Sequence, residues 1–116
     1  MTEQHLLTFA EAWSTKNIDE VMRFFTEDCM YRPSIISDGK ESYSGKSEVA
    51  QAVEKMMKLD NSLSSKVSNI YINGDFGFWE WKYKLSNNRN VTGCDLFKFR
   101  DDLITIKNAF RKMEEK

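Results

Sequence analysis

One carboxylate stands in line with aromatic side chains in a segment that alternates like a β-strand. Residues 93–99 read Gly-Cys-Asp-Leu-Phe-Lys-Phe, so Asp95 is followed at a spacing of two by Phe97 and Phe99. Successive side chains of a strand point to opposite faces, which places these three on one face. Desolvation among aromatic rings favours the protonated form of a carboxyl group. Asp95 is therefore the candidate catalytic residue, as a general acid or as a hydrogen-bond donor to a ligand carbonyl.

A neighbouring segment supplies aromatic side chains for the same site. Residues 78–85 read Phe-Trp-Glu-Trp-Lys-Tyr-Lys-Leu, which puts aromatic rings on one face of a strand and charges on the other. Earlier in the chain, Trp13 lies on the apolar stripe of a predicted helix, and Tyr31 precedes Pro33 at a spacing of two. The candidate ligand-binding residues from this pattern are Trp13, Tyr31, Trp79, Trp81, Tyr83 and Phe97.

A purely structural interpretation of the same residues stands beside the functional one. In it, Asp95 accepts hydrogen bonds from Tyr31, Tyr83 or Asn108 and holds the sheet together, while the tryptophans fill the core. The functional interpretation predicts that Asp95→Asn weakens ligand binding and leaves the melting temperature nearly unchanged. Loss of folding without any change in binding favours the structural interpretation.

Composition and charge narrow the classes of function. The 116 residues are treated as one domain, 1–116, with a formal net charge of −1 and 41% hydrophobic residues. Mixed charges give no concentrated basic face, so neither a nucleic-acid nor a membrane partner is expected. The start of the chain has no signal-peptide pattern, which predicts a cytoplasmic protein with reduced thiols at Cys29 and Cys94. The single histidine, His5, has no catalytic partner at a useful spacing, and no metal or other cofactor is expected.

Hydrophobic periodicity predicts an α+β chain in which helices dominate the first half and an antiparallel meander the second. The predicted helices cover residues 2–14, 18–25 and 46–59. The predicted strands cover residues 29–34, 67–73, 76–86, 91–99 and 103–110, with a polar loop over 37–45.

Several segments in this order resemble the SnoaL-like proteins of the nuclear transport factor 2-like superfamily. They are residues 9–13, 17–21 and 24–28 for the paired opening helices, 45–49 for the start of the third helix, 73–75 before the tryptophan strand, and 95–104 for the usual ending. The resemblance implies a cystatin-like fold, in which a cone-shaped curved antiparallel sheet is wrapped by three N-terminal helices. It also implies a small apolar ligand in the open end of the cone and a homodimer formed through the outer face of the sheet.

Within this superfamily, the functional positions of the ketosteroid isomerase pocket can be compared with residues of this chain. The resemblance places Asp95 at the position of that enzyme's hydrogen-bonding acid. Phe9 stands at the position of its functional tyrosine and Pro33 at that of its base, so the steroid isomerisation cannot run on this constellation. Phe9 is kept as a ligand-binding residue, and Asn108 is added because SnoaL-like proteins often carry an aspartate there.

The sequence is compatible with two functions. The first is a protein that binds a small, mostly apolar molecule bearing a carbonyl or hydroxyl group, and that acts as an isomerase or lyase if Asp95 works as a general acid. The second is a non-catalytic dimerisation or adaptor module whose cone is filled by tryptophan rings. An open cavity of roughly 300 Å³ with Asp95 in its wall favours the first function.

Overall fold

Over residues 1–59, 62–113 and 115, which the computed structural model describes, the chain forms three α-helices and six β-strands. The helices are α1 Glu3–Ser14, α2 Ile18–Met22 and α3 Lys46–Leu59. The strands are β1 Phe25–Arg32, β2 Tyr43–Ser44, β3 Ser62–Asn73, β4 Phe76–Leu85, β5 Asn90–Arg100 and β6 Leu103–Arg111.

Side-chain caps begin the first two helices. The Thr2 hydroxyl accepts a hydrogen bond from the backbone N–H of His5 at 3.1 Å, and the Asn17 side chain accepts one from Glu20 at 3.2 Å. These bonds satisfy amide groups that have no partner inside the helix. The apolar stripe of α1 then carries Leu6 and Phe9 into the core, where both are fully buried.

The six strands of the described ranges form one sheet in the order β2-β1-β6-β5-β4-β3. The predicted α+β cone with its curved, open sheet is confirmed, and one pairing differs from the predicted antiparallel arrangement. β1 runs parallel to β6, with Tyr31 paired with Lys107. A parallel neighbour requires a long crossover, and the chain supplies it because β2, α3, β3, β4 and β5 all lie between the two strands.

The boundary between α2 and β1 also differs from the predicted one, and strand pairing is the reason. The sequence predicted a helix to Phe25 and a strand from Cys29, whereas α2 ends at Met22 and β1 begins at Phe25. The carbonyl of Phe24 accepts a hydrogen bond from the backbone N–H of Ile104 in β6 at 2.7 Å. Long-range pairing therefore prevailed over the helical spacing of the apolar residues. The predicted loop over 37–45 contains the short strand β2, and β3 begins earlier than predicted.

A β-bulge in β6 sets which of its side chains face inward. Phe99 pairs with Ile104 and Lys98 pairs with Ile106, so Thr105 is an additional residue on β6. An additional residue reverses the alternation of faces beyond it. Ile104 is consequently fully buried inside, and Lys107, three residues later, faces inward as well, with 5% of its surface exposed.

The helices cover the inner face of the sheet and leave the outer face open. The inner core contains Phe9, Phe25, Tyr31, Trp79, Phe97 and Phe99 among its larger members. Burial raises the pKa of the Cys29 thiol in this core. On the outer face, Tyr71 and Phe76 are 66% and 62% exposed, and Leu96 and Phe110 are also exposed. Among the described helices, none has the length and apolar character to cross a bilayer.

Candidate functional site

The inner face of the sheet and helices α1 and α3 enclose a cavity of about 320 Å³. Aromatic rings form much of its wall, and a few polar groups converge on it. The lining includes Phe9, Trp13, Tyr31, Trp79, Trp81, Tyr83, Asp95 and Lys107. This volume and lining are typical of sites for small organic molecules.

Asp95 lies in the cavity wall with three donors around its carboxyl group. The indole Nε1 of Trp79 donates to Oδ2 at 2.7 Å, and the indole Nε1 of Trp81 donates to Oδ1 at 3.2 Å. The ammonium of Lys107 lies 3.3 Å from Oδ1. Indole and ammonium groups donate and do not accept, so both carboxyl oxygens are used as acceptors. The donors differ from the tyrosines and Asn108 that the structural interpretation proposed.

Lys107 is the cation of the site, and its side chain is 7% exposed. Besides Asp95, its Nζ lies 4.4 Å from the centroid of the Trp13 ring and 5.2 Å from that of Tyr31. Both distances are in the range of cation–π attraction, which strengthens where water is excluded. The ammonium is thus held between one carboxylate and two aromatic rings. The Asp95–Lys107 pair carries no net charge.

Tyr31 contributes a protonated hydroxyl to the same wall. Its side chain is buried, and burial raises its pKa well above the ordinary value, with the nearby charge of Asp95 acting in the same direction. The ring packs edge-on to Trp13 at 6.1 Å between centroids. On the other side of the cavity, Trp81 and Tyr83 stack at 5.4 Å with an interplanar angle of 14°.

A glycine opposite Trp81 makes the indole–Asp95 bond possible. Gly93 in β5 pairs with Trp81 in β4, and this pair lies two positions along the strands from Asp95 and Trp79, on the same face. A Cβ atom at Gly93 would lie 2.4 Å from Cζ2 of Trp81 and 2.1 Å from the carbonyl oxygen of Phe110. Only a residue without a side chain therefore lets the indole lie across β5 toward Asp95.

The substitution Gly93→Ala is expected to lower the free energy of unfolding by about 1–3 kcal/mol, because overpacking forces the indole and β6 to shift. Displacement of Trp81 should also change the near-ultraviolet circular dichroism and the tryptophan emission. Thr92→Ala, at the adjacent position on the opposite face, is the matched control and should cost less than about 1 kcal/mol. Equal urea midpoints for Gly93→Ala and wild type would contradict the close packing.

Seven of the nine residues proposed from the sequence line this cavity. They are Asp95, Phe9, Trp13, Tyr31, Trp79, Trp81 and Tyr83. Phe97 does not line it, because its ring is buried behind Trp79, edge-on at 5.1 Å. Asn108 is a correction: it pairs with Leu96 on the outer face, since the bulge at Thr105 reversed the alternation of β6.

Lys107 is the buried residue of the candidate site that the sequence analysis did not identify. It was noted only within the closing strand, and its neighbour Asn108 was assigned to the pocket instead. No residue type near Thr105 marks the bulge in advance. Glu11 and Lys66 also line the cavity, where both are exposed. Across the described residues, no group of three or more His, Cys, Asp or Glu is placed to hold a metal ion.

A protein-family model, that of the SnoaL-like domain, matches the chain over residues 6–106. The chain belongs to the SnoaL-like domain family. This match covers most of the chain and includes most of α1, the tryptophan strand and Asp95. The resemblance stated from the sequence is therefore confirmed. No curated protein matches the chain in sequence.

Solved structures support the same fold for this SnoaL-like protein. A nuclear transport factor 2-like protein of unknown function from Mesorhizobium loti is 14% identical, with a TM-score of 0.77 over 95% of this chain and 89% of that one. A protein with a cystatin-like fold from Methylobium petroleophilum is also 14% identical, with a TM-score of 0.77 over 98% and 77%. At such identities the similarity shows the fold alone.

A third structure similar to the SnoaL-like chain contains a ligand. It is a protein with a ketosteroid isomerase-like fold from Catenulispora acidiphila in complex with trimethylamine. The identity is 17%, and the TM-score is 0.76 over 95% of this chain and 86% of that one.

Proposed function

We propose that this SnoaL-like protein binds a small, mostly apolar molecule in the cavity and recognises a carbonyl or hydroxyl oxygen on it. The observation that carries the proposal is the buried Lys107 ammonium in an aromatic wall. Its nearest carboxylate oxygen is 3.3 Å away, so the ion pair is loose compared with a charge-assisted hydrogen bond. An ammonium has three N–H donors, and a ligand oxygen in the cavity can accept from one of them.

The charge balance of the site supports a neutral ligand. Asp95 and Lys107 compensate each other, so an additional anion or cation in the cavity would add uncompensated charge to a desolvated site. The rings of Trp13, Trp81 and Tyr83 offer faces on which an apolar ring or chain can pack. Tyr31 supplies a second donor beside Lys107.

A catalytic form of this proposal, with Asp95 as general acid in an isomerase or lyase, is less well supported. A general acid must hold a proton, and a protonated carboxyl group needs an acceptor for it. The groups bonded to Asp95 are donors, two indoles and one ammonium. We therefore assign Asp95 the role of orienting Lys107 and the two indoles. The non-catalytic alternative required a filled cone, whereas Trp13, Trp79 and Trp81 line an open cavity.

Ligand binding can be measured with the chain's own tryptophans, since all three line the cavity. Acetophenone and α-methylstyrene are a matched pair of probes, because they have the same shape and only the first has an oxygen acceptor. We expect acetophenone to quench the emission saturably and to bind about tenfold more tightly, as one hydrogen bond to a charged donor contributes about 1.5–3 kcal/mol.

Native mass spectrometry of freshly purified protein complements the titration, because a co-purified small molecule would identify the natural ligand class directly. Absence of saturable quenching by both probes, with no co-purified molecule, would remove the proposed function. Equal affinities for the two probes would show that the cavity binds apolar molecules without recognising an oxygen atom on them.

We also propose that two copies pair through the outer face of the sheet. A row of apolar residues crosses that face, since Tyr71 pairs with Phe78 and Phe78 with Leu96. Phe76 and Phe110 are exposed nearby. This end of the face is apolar, and exposed apolar patches of this kind mark interaction surfaces.

For this outer face, multi-angle light scattering at micromolar concentration is expected to give the mass of a dimer. The substitution Leu96→Glu is expected to give a monomer, because it puts a charge in the apolar row. Lys82→Glu, on the polar end of the same face, is the control and should leave the dimer intact. A monomeric wild type would refute this pairing.

A further inference from the structure

The Lys107 side chain occupies a site that has the composition of a cation-binding site. Its ammonium has a carboxylate, Asp95, at 3.3 Å and two ring centroids, those of Trp13 and Tyr31, at 4.4 and 5.2 Å. Carboxylate charge and aromatic faces together are the groups by which proteins recognise alkylammonium ligands. Here the cation comes from the chain itself, on β6, and reaches into the cavity from its wall.

The surrounding groups hold this arrangement independently of Lys107. Asp95 is fixed by the two indole N–H groups of Trp79 and Trp81, and the Tyr31 ring is buried. Trp13 lies on α1 and packs edge-on against Tyr31. Removal of the Lys107 side chain would thus leave the carboxylate and both rings facing a space that a small ammonium ion can fill.

We propose that Lys107 determines the ligand class of the cavity by acting as a built-in cation in the subsite formed by Asp95, Trp13 and Tyr31. The intact chain excludes alkylammonium ligands, because their subsite is filled and a second cation would be repelled. It accepts neutral molecules that offer an oxygen to the same ammonium. This part of the inference rests on the proposed function, whereas the existence of the cation subsite does not.

The test is chemical replacement of the lysine side chain. In Lys107→Ala, propylammonium supplies three carbons and a nitrogen in place of Cγ, Cδ, Cε and Nζ. Binding is followed by tryptophan emission and by calorimetry, with 1-propanol as the neutral probe of the same size. We expect propylammonium to bind Lys107→Ala at least about tenfold more tightly than it binds wild type, the factor that one desolvated cation–π contact supplies. 1-Propanol should show no such gain.

Two further variants locate the binding. In Asp95→Asn/Lys107→Ala, the gain in propylammonium affinity should fall by about tenfold or more, since the carboxylate is gone. Lys82→Met removes the same charge from an exposed position on the outer face of β4 and should leave propylammonium binding at the wild-type level. A gain that survives in the double variant, or that also appears in Lys82→Met, would overturn the subsite.

Stability provides a second measurement, because Asp95 loses its counter-charge in Lys107→Ala. Propylammonium chloride should raise the melting temperature of this variant relative to equal sodium chloride, and should restore its circular dichroism if the variant is unfolded alone. Failure of propylammonium both to bind and to stabilise would overturn the inference. Acetophenone binding to wild type distinguishes this inference from the proposed function. If propylammonium binds Lys107→Ala but acetophenone does not bind wild type, the proposed ligand class is refuted and the cation subsite is retained.

Discussion

The substitution Asp95→Asn is expected to lower the free energy of unfolding by about 3–5 kcal/mol, because it leaves the buried ammonium of Lys107 without its counter-charge. The asparagine amide would also turn N–H donors toward the indole donors of Trp79 or Trp81. Urea denaturation followed by circular dichroism measures the change in the free energy of unfolding. If the slope of this free energy against urea concentration is unchanged, the compactness of the denatured state is also unchanged.

A double-mutant cycle separates the ion pair from the other contacts of Asp95. Lys107→Met alone should also destabilise, and Asp95→Asn/Lys107→Met should be more stable than the sum of the single effects by about 1–3 kcal/mol. Strictly additive effects would show that the two groups are not coupled. The functional interpretation of the sequence predicted almost no change in melting temperature for Asp95→Asn, whereas the structural interpretation predicted a loss of folding. The structure reverses the first of these expectations, because the carboxyl group is paired and not isolated.

The substitution Phe9→Ala is expected to lower the free energy of unfolding by about 3–5 kcal/mol, the usual cost of deleting a buried aromatic ring. Phe9 is fully buried on α1. Its ring contacts the rings of Trp13, Phe24, Phe25, Trp79 and Phe97, with centroids 5.4 to 6.2 Å away. Loss of this ring removes these aromatic contacts between the first helix and the sheet and enlarges the cavity at the same time.

The matched control for Phe9→Ala is Phe110→Ala, an aromatic residue that is 50% exposed. At a protein concentration that keeps the chain monomeric, this control should change the free energy of unfolding by less than about 1 kcal/mol. Phe9→Leu should fall between the two, since an aliphatic side chain retains part of the buried area. Similar losses for Phe9→Ala and Phe110→Ala would contradict the assignment of the core.

Asp95 also illustrates how the chemical role proposed for a residue depends on contacts that its placement on a strand does not reveal. Its position on the inner face followed from the alternation of β5 alone, and two of its donors, Trp79 and Trp81, lie on the inner face of β4. The third donor comes from β6 and changes the chemistry. A carboxylate with an ammonium beside it accepts hydrogen bonds and fixes a cation, whereas the isolated acid of the sequence prediction would donate.

The sequence by itself determined the family, helices α1 and α3, the start of α2, and the faces of β4 and β5. Side-chain alternation and helical spacing are local properties, so Trp79, Trp81 and Asp95 could be assigned to one face without knowledge of the rest of the chain. The same locality explains why Trp13 was placed on the apolar stripe of the first helix.

Only the tertiary structure decided what meets Asp95. The parallel pairing of β1 with β6 brings Tyr31 beside Lys107, and the bulge at Thr105 turns Lys107 inward and Asn108 outward. Both depend on registers between strands far apart in the chain, where one additional residue exchanges the two faces without leaving a mark in the local sequence.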